Sequence, residues 1–383
     1  MEDTGTPLSF HSMSAVWFST GRPYVIGTFE NTAQKWRGLA MVEITIRGAG
    51  IFGLSIAWVC VQRGASVQVI DPNGPAAGSS GGIVGALAPH VPEKWSAKKA
   101  FQLESLLMAG PFWQEVDTVG GGQSGYSRKG RLQPITDEKA LALAHRRAVT
   151  GQEHWRDDAV WQVVRAEASP WEPVSPSGWL VYDSLSALIH PRRACEALVM
   201  ALAAKGVEVQ AEGSDKGRVL WATGVAGLQD LTARFAQPVG SGEKGQAALL
   251  AYDARDMPQL FAGGVHIIPH SDGTVAVGST TERYFDSPDQ TDEKLDDVIT
   301  AACAAVPVLA DAKVIDRWAG LRPRSHSRAP MLGGWPDRPD HFIANGGFKI
   351  GFGMAPKISQ VMADLLLDGR DKIPDGFRVE DNL

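Results

Sequence analysis

Cysteine is nearly absent: Cys60, Cys195 and Cys303 are the only three in a chain of 383 residues. They stand far apart, with no Cys-x-x-Cys pair and no Cys/His spacing that would hold a metal, so no metal site is expected. An odd, scattered set also argues against a disulfide framework. It points to a reducing, cytoplasmic setting in which each thiol simply packs. No uninterrupted apolar run approaches the ~18 residues that a membrane span needs. The chain opens MEDTGTP, with acids where a secretory signal would be basic. Positive charge is in deficit too: 37 Lys and Arg against 43 Asp and Glu leave a net charge of −6. That is a poor basis for neutralising nucleic-acid phosphates, so a nucleic-acid partner is not expected. Internal repeats and low-complexity tracts are missing as well. With 44% hydrophobic and 21% charged residues, the chain can build a large core and is not a disordered one.

Glycine, in contrast, is abundant: 42 residues, about 11% against an ordinary ~7%. Residues 1–40 carry no sustained period and are rich in Ser, Thr and Gly; at Met41 the texture changes to VEITIRGAG. Residues 1–40 are therefore expected to be an N-terminal extension, poorly ordered or docked as an arm, with Met41 as an alternative start. From 42 onward the pattern predicts strand 42–47, a glycine turn, helix 51–63 and strand 66–70 ending in Asp71, the first half of a βαβ unit. A Gly/Ser loop at 74–89 precedes a helix over 96–118. Residues 131–182 mix short strands with a charged helix near 137–153. A helix over 191–205, closed by Gly206, leads to strands 207–209 and 218–222. Residues 246–280 read as an antiparallel meander with a hairpin turn at Asp272-Gly273. Helix 291–305, short strands around 314–319 and 341–344, and a closing helix at 355–368 complete the pass.

Chemistry concentrates in the glycine turns. GAGIFG at 48–53 matches G-x-G-x-x-G: Gly48 for the tight turn, Gly50 for close approach to a pyrophosphate, Gly53 for helix–strand packing. Ile51 and Phe52 open the helix whose free N–H groups face that pyrophosphate. Asp71 follows the last glycine by about the ~20 residues expected of an acid that takes ribose hydroxyls. Such an acid disfavours NADP but does not by itself separate NAD from FAD. GSSGGIVGALAPH at 78–90 is a long small-residue loop (Ser79, Ser80, Gly85 and Ala86 among its members) suited to an extended FAD. RVLWATG ends in Thr223-Gly224. NGGFKIGFGMAPKI carries Gly346, Gly347, Phe348, Lys349 and Ile350 into a helix, and its N–H groups could face the flavin's pyrimidine carbonyls.

Together GAGIFGLSIA, GALAP, WATG, HIIPHSDGTVAVGSTTE, WAGLRP and GGFKIGFGMAP resemble the D-amino-acid oxidase superfamily of FAD oxidoreductases, in the branch of glycine and sarcosine oxidase. The resemblance covers about residues 42–370. It implies an α/β, two-domain fold: a Rossmann-like FAD-binding domain from 41–120, 183–230 and 311–383, and a substrate domain with a mostly antiparallel sheet from 121–182 and 231–310. It further implies that Arg322 grips the substrate carboxylate, which a planar guanidinium does in two-pronged fashion. Lys349 falls where relatives place another basic residue, and His266 where they carry an aromatic pocket residue; His270 shares the His266 strand face by two-residue alternation. Relatives with covalent flavin attach it through a His in the loop after the ribose acid or a Cys after the G-x-R-P arginine. Residues 78–89 hold no His and residues 323–345 no Cys, so FAD is expected to be non-covalent, with His90 structural.

The implied activity is oxidation of a small amine or amino acid, of the glycine, sarcosine or small D-amino-acid type. Hydride passes from the α-carbon to flavin N5, giving an imine that hydrolyses. A flavoenzyme like the FAD domain that processes the tRNA wobble uridine is the nearest competitor, since its substrate also carries a carboxymethyl-amine. A non-catalytic flavoprotein is a third.

Overall fold

The computed structural model describes residues 43–383, so the expected extension over 1–40 lies outside the described residues. The chain begins as the βαβ spacing predicts, with β1 (Glu43–Arg47), α1 (Ile51–Gln62) and β2 (Ser66–Ile70). A loop bearing the short β3 (Ala86–Leu87) leads into α2 (Ala97–Gly120). Next come β4 (Arg131–Pro134), α3 (Glu138–Trp155), β5 (Trp161–Arg165), β6 (Trp179–Asp183) and β7 (Ala187–Leu188). They are followed by α4 (Pro191–Ala204), β8 (Val209–Gln210), β9 (Arg218–Trp221) and α5 (Gly224–Phe235). The meander is β10 (Gly240–Leu250), β11 (Gln259–Ala262), β12 (Val265–Pro269) and β13 (Val275–Gly278). After α6 (Lys294–Ala305) come β14 (Val314–Ser325), β15 (Met331–Gly334), β16 (His341–Asn345) and α7 (Gly351–Asp368).

Two sheets result. One has six strands in the order β15-β16-β9-β1-β2-β8, parallel except for the β15–β16 pair. Helix α1 is apolar on every side and is buried between this sheet and its neighbours α4 and α7, as such a helix must be. The other sheet has eight strands in the order β14-β10-β13-β12-β11-β4-β6-β5, antiparallel except where β11 meets β4. Alternation splits its two faces. Ala248, Leu250, Ile267 and Val277 pack on α6, while Ala247, Ile268 and Ala276 pack against Ile83 of the loop after β2. No described helix is long and apolar enough to cross a membrane.

Three elements differ from expectation. The short strand around 314–319 is twelve residues long and runs beside β10 from Gly240↔Ser325 to Leu250↔Val314. It therefore joins the eight-stranded sheet, so the segment expected as FAD-binding over 311–383 divides after Ser325. Pro323 is tolerated within it because β14 is an edge strand, where a missing N–H costs little. Helix α5 was not anticipated: Gly224 and Gly227 lower its propensity, and burial of Leu228 and Leu231 decides it. Helix α7 starts at Gly351 and runs through Pro356; the neighbouring Lys357 N–H donates to Ser105 Oγ on α2 (3.2 Å).

Candidate active site

Strands β1, β9 and β16 are parallel neighbours, so the turns that follow them gather at one sheet edge, the place where open α/β sheets present their crevice. Gly48 has φ +107°, and a Cβ there would lie 2.3 Å from the Ala222 carbonyl oxygen. Only glycine lets these two turns touch. A Cβ on Gly53 would sit 1.9 Å from the Gly48 oxygen, so the helix is seated directly on the turn. Gly50 precedes α1 and faces Ser80, whose Oγ accepts the Ile51 N–H (3.0 Å). Asp71 holds the turn from the side: its Oδ2 accepts the Ala49 N–H (2.8 Å) and its Oδ1 the Asn73 N–H (3.0 Å).

The later turns arrive at the same place. Asn345 Nδ2 donates to the Gly224 carbonyl (2.9 Å), joining the turn of Thr223 and Gly224 to that of residues 346–350. Gly347 lies against the Phe52 ring, where a Cβ would come within 2.9 Å, and the Phe348 N–H donates to the Pro323 carbonyl (3.0 Å). Ile350 is the N-cap of α7. Helices α1, α5 and α7 all start without a side-chain bond from their N-cap residue or an acid in the first turn, which leaves their positive dipole ends, and at α1 the N–H groups beyond Ile51, for an anion or carbonyl. Ser79 opens a 3-10 turn beside Ser80. Gly85 packs on the Ile189 carbonyl and Ala86 pairs with Leu188 of β7.

The eight-stranded sheet contributes side chains. On β14, Arg322 is 9% exposed and stands opposite Glu243 of β10. Its Nη1 donates to Ser279 Oγ (2.8 Å), and its Nη2 to the carbonyls of Thr280 (2.5 Å) and Lys244 (3.2 Å). Burial pushes its pKa down to about 10, against the pull of Glu243 and Glu282; it stays cationic at neutral pH. Lys349 is exposed, and its Nζ donates to Thr281 Oγ1 (2.7 Å). The surrounding protein and then Arg322 hold its pKa below the lysine range. Arg322, Arg324 and Lys349 lie 5.5, 5.6 and 5.6 Å from the centre of the Phe348 ring. Arg324 is ion-paired with Glu243, which also lies 3.6 Å from Arg283. Among the described residues, no carboxylate forms an ion pair with Arg322 or Lys349.

His266 pairs with Gly278, which pairs with Ala247, so it shares the face that packs against Ile83. Its ring meets Phe261 at 4.7 Å, and Nδ1 is buried without a partner. Burial, with the charges of Arg131 and Lys349, pushes its pKa down to about 4; it is neutral near pH 7. Lys349 thus lies within electrostatic reach of both Arg322 and His266. His270 instead sits beside His190, ring centres 4.4 Å apart, and His90 bonds to Gln102. Ser279, Thr280, Thr281, Glu243 and Asn345 were missed. The hydroxyl run STT directly after β13 was the available signal. No group of three or more His, Cys, Asp or Glu among the described residues is arranged for a metal ion.

A parallel sheet with uncapped glycine turns at its edge, joined to an antiparallel sheet bearing unpaired cations, is the build of a dinucleotide-dependent redox protein. The chain belongs to the FAD dependent oxidoreductase (DAO) family, whose model matches residues 43–365. The glycine oxidase of Pseudomonas aeruginosa is 34% identical over 133 residues, which cover 34% of this chain and 36% of that protein. The bifunctional protein ThiO/ThiG of Nostoc sp. is 24% identical over 355 residues, covering 85% of this chain and 53% of its own length. The chain therefore spans about half or less of these curated relatives. The crystal structure of glycine oxidase from Geobacillus kaustophilus superposes with a TM-score of 0.75 at 20% identity, covering 88% of this chain and 99% of that one. The fold is shared.

Proposed function

We propose that the chain oxidises the carbon–nitrogen bond of a small amine or amino acid, of the glycine, sarcosine or small D-amino-acid type, with non-covalently held FAD. The observation that carries this is the pair of cations, Arg322 and Lys349, that lack a carboxylate partner beside the turns converging on α1. The residues present fit the cofactor: the Phe52 N–H at the start of α1 would hold its pyrophosphate, Asp71 its ribose hydroxyls, and residues 346–350 its ring end. Glycines at 48 and 53, where any Cβ would strike a carbonyl, support the same assignment. Bound FAD supplies the two-electron acceptor.

The chain's own residues supply position. The cationic pair draws in the substrate carboxylate, and a charge-assisted bond of that kind contributes about 1.5–3 kcal/mol. His266 is neutral, so it adds no third positive charge against the amine. Oxidation of a neutral amine gives an imine, which water converts to an oxo acid and ammonia or an amine. Free cysteines at 60, 195 and 303 support a reducing, cytoplasmic setting. The test is anaerobic mixing of the yellow protein with glycine, sarcosine and small D-amino acids. One or more should bleach the flavin within seconds to minutes; bleaching by dithionite but by no amine would overturn the proposal.

A further inference from the structure

The turn that closes on α1 from the loop after β2 has little hold of its own. Residues 78–82 read GSSGG, and glycine backbone loses the most freedom when it is fixed. The bonds within the turn are local: the Gly81 N–H donates to the Gly78 carbonyl (3.0 Å) and the Gly82 N–H to that of Ser79 (3.3 Å). Ser80 Oγ accepts the Ile51 N–H, so where the turn sits decides how that hydroxyl meets the helix. Arg192, in the first turn of α4, takes hold of it from outside. Its Nε donates to the Gly81 carbonyl (2.8 Å) and its Nη1 to Asp316 Oδ2 on β14 (3.0 Å). Trp318 of the same strand lies over Gly82, where a Cβ would come within 3.3 Å of the ring. Asp316, Trp318 and Arg322 alternate onto one face of β14. One guanidinium therefore ties the turn beside α1 to the strand that carries Arg322.

We propose that Arg192 is a positioning residue for FAD: it fixes the turn of residues 78–82 in the form that receives the cofactor, with Asp316 as its anchor on the eight-stranded sheet. This rests on FAD as the cofactor and on no particular substrate. Both bonds of Arg192 are to protein, so its effect on FAD is indirect. With the turn already fixed, binding does not have to supply the cost of ordering it. A lysine could serve one of the two partners but not both, because an ammonium is a point charge and the guanidinium spans them. The side chains of Arg192 and Asp316 are 40% and 37% exposed, so the anchor is the weaker of the two bonds and is screened by salt.

The experiment measures the FAD dissociation constant of the full-length protein by equilibrium dialysis, with the melting temperature of the FAD-free protein recorded beside it. Arg192→Gln should weaken FAD roughly three- to tenfold, and Arg192→Lys should recover only part of the loss. Asp316→Asn, which removes the anchor and leaves the Gly81 bond, should weaken FAD roughly two- to threefold. In the Arg192→Gln background it should add nothing. A merely structural role would lower the melting temperature and leave the dissociation constant where it was. FAD affinity in Arg192→Gln within about 1.5-fold of the parent would overturn the proposal. So would an Asp316→Asn effect that persists undiminished without Arg192. If Arg192→Gln does not fold, unchanged affinity in Asp316→Asn overturns it equally. A parent protein that takes up no FAD would overturn the cofactor assignment, and this proposal with it.

Discussion

Around the start of α1, backbone meets backbone: a Cβ on Gly53 would sit 1.9 Å from the Gly48 oxygen, and one on Gly48 would sit 2.3 Å from that of Ala222. On the eight-stranded sheet, side chains from distant strands do the equivalent work. Arg322 reaches across to residues 279 and 280, and Arg131 is paired with Asp183 at 2.9 Å in a buried ion pair. The first region has no room for a side chain at Gly48 or Gly53 and has one charged member, Asp71. The second depends on which charges are balanced, as at Arg131 and Asp183. In the proposed assignment, sterics set the cofactor cradle and electrostatics the substrate face.

The sharpest way to break the cradle is Gly53→Val. Its branched side chain has no room against the Gly48 carbonyl, and overpacking of this kind costs about 1–3 kcal/mol or more. The variant should purify without FAD or not fold, as read by the flavin-to-protein absorbance ratio and the melting temperature. Normal flavin content would mean the turn can shift. On the other region, Asp183→Asn leaves Arg131, 6% exposed, as an uncompensated buried charge. That costs about 3–5 kcal/mol, roughly 4–6 °C in Tm for a chain of this size. A shift under about 0.5 °C would show that the pair carries no stability.

Asp71→Ala tests the cradle's one charged member. Loss of a charge-assisted bond to ribose, about 1.5–3 kcal/mol, should weaken FAD roughly 10- to 150-fold in an equilibrium titration, with turnover at saturating FAD little changed. Unaltered affinity would leave Asp71 with only its backbone contacts to Ala49 and Asn73.

How much of this was legible follows the same division. Gly48, Gly50 and Asp71 could be read from sequence because a turn followed by a helix imposes local spacing, and strands 43–47 and 66–70 could be read because their alternation is local too. Helix α5 and the full length of β14 were hidden, since burial of Leu228 and pairing with β10 overrode local propensity. Arg322, Lys349 and His266 were named singly. That Lys349 comes near both of the others depends on the register of β10, β13 and β14, which no local pattern encodes. The partners of Arg322 in residues 279–280 and the position of Glu243 are long-range consequences of that register.

A smaller effect is expected from pH. His270, 1% exposed, has its pKa pushed down to about 3 by burial and then by His190, and His190 is shifted down by burial as well. Arg192, Arg193 and Asp272 are the other charges facing the pair. The unfolded chain protonates these rings near their ordinary value of about 6.5, so the stability they contribute is full above that pH. It is lost as pH falls below about 6.5, for His270 at up to roughly 1.4 kcal/mol per pH unit down toward about 3, with His190 acting in the same direction. Melting curves from pH 7 to 4 should show this, and His270→Gln should flatten the slope. A slope unchanged by the substitution would assign the acid lability to other groups.

The claim that the eight-stranded sheet selects its substrate by charge is tested most directly by comparing each amino acid with the amine that lacks its carboxylate: glycine with methylamine, sarcosine with dimethylamine. The measurement is kcat/KM for flavin reduction under anaerobic conditions. A charge-assisted bond of about 1.5–3 kcal/mol predicts that the carboxylate raises kcat/KM roughly 10- to 150-fold. The preference should also shrink as salt screens the exposed Lys349 ammonium. Equal rates for acid and amine, or a preference for the amine, would contradict the account.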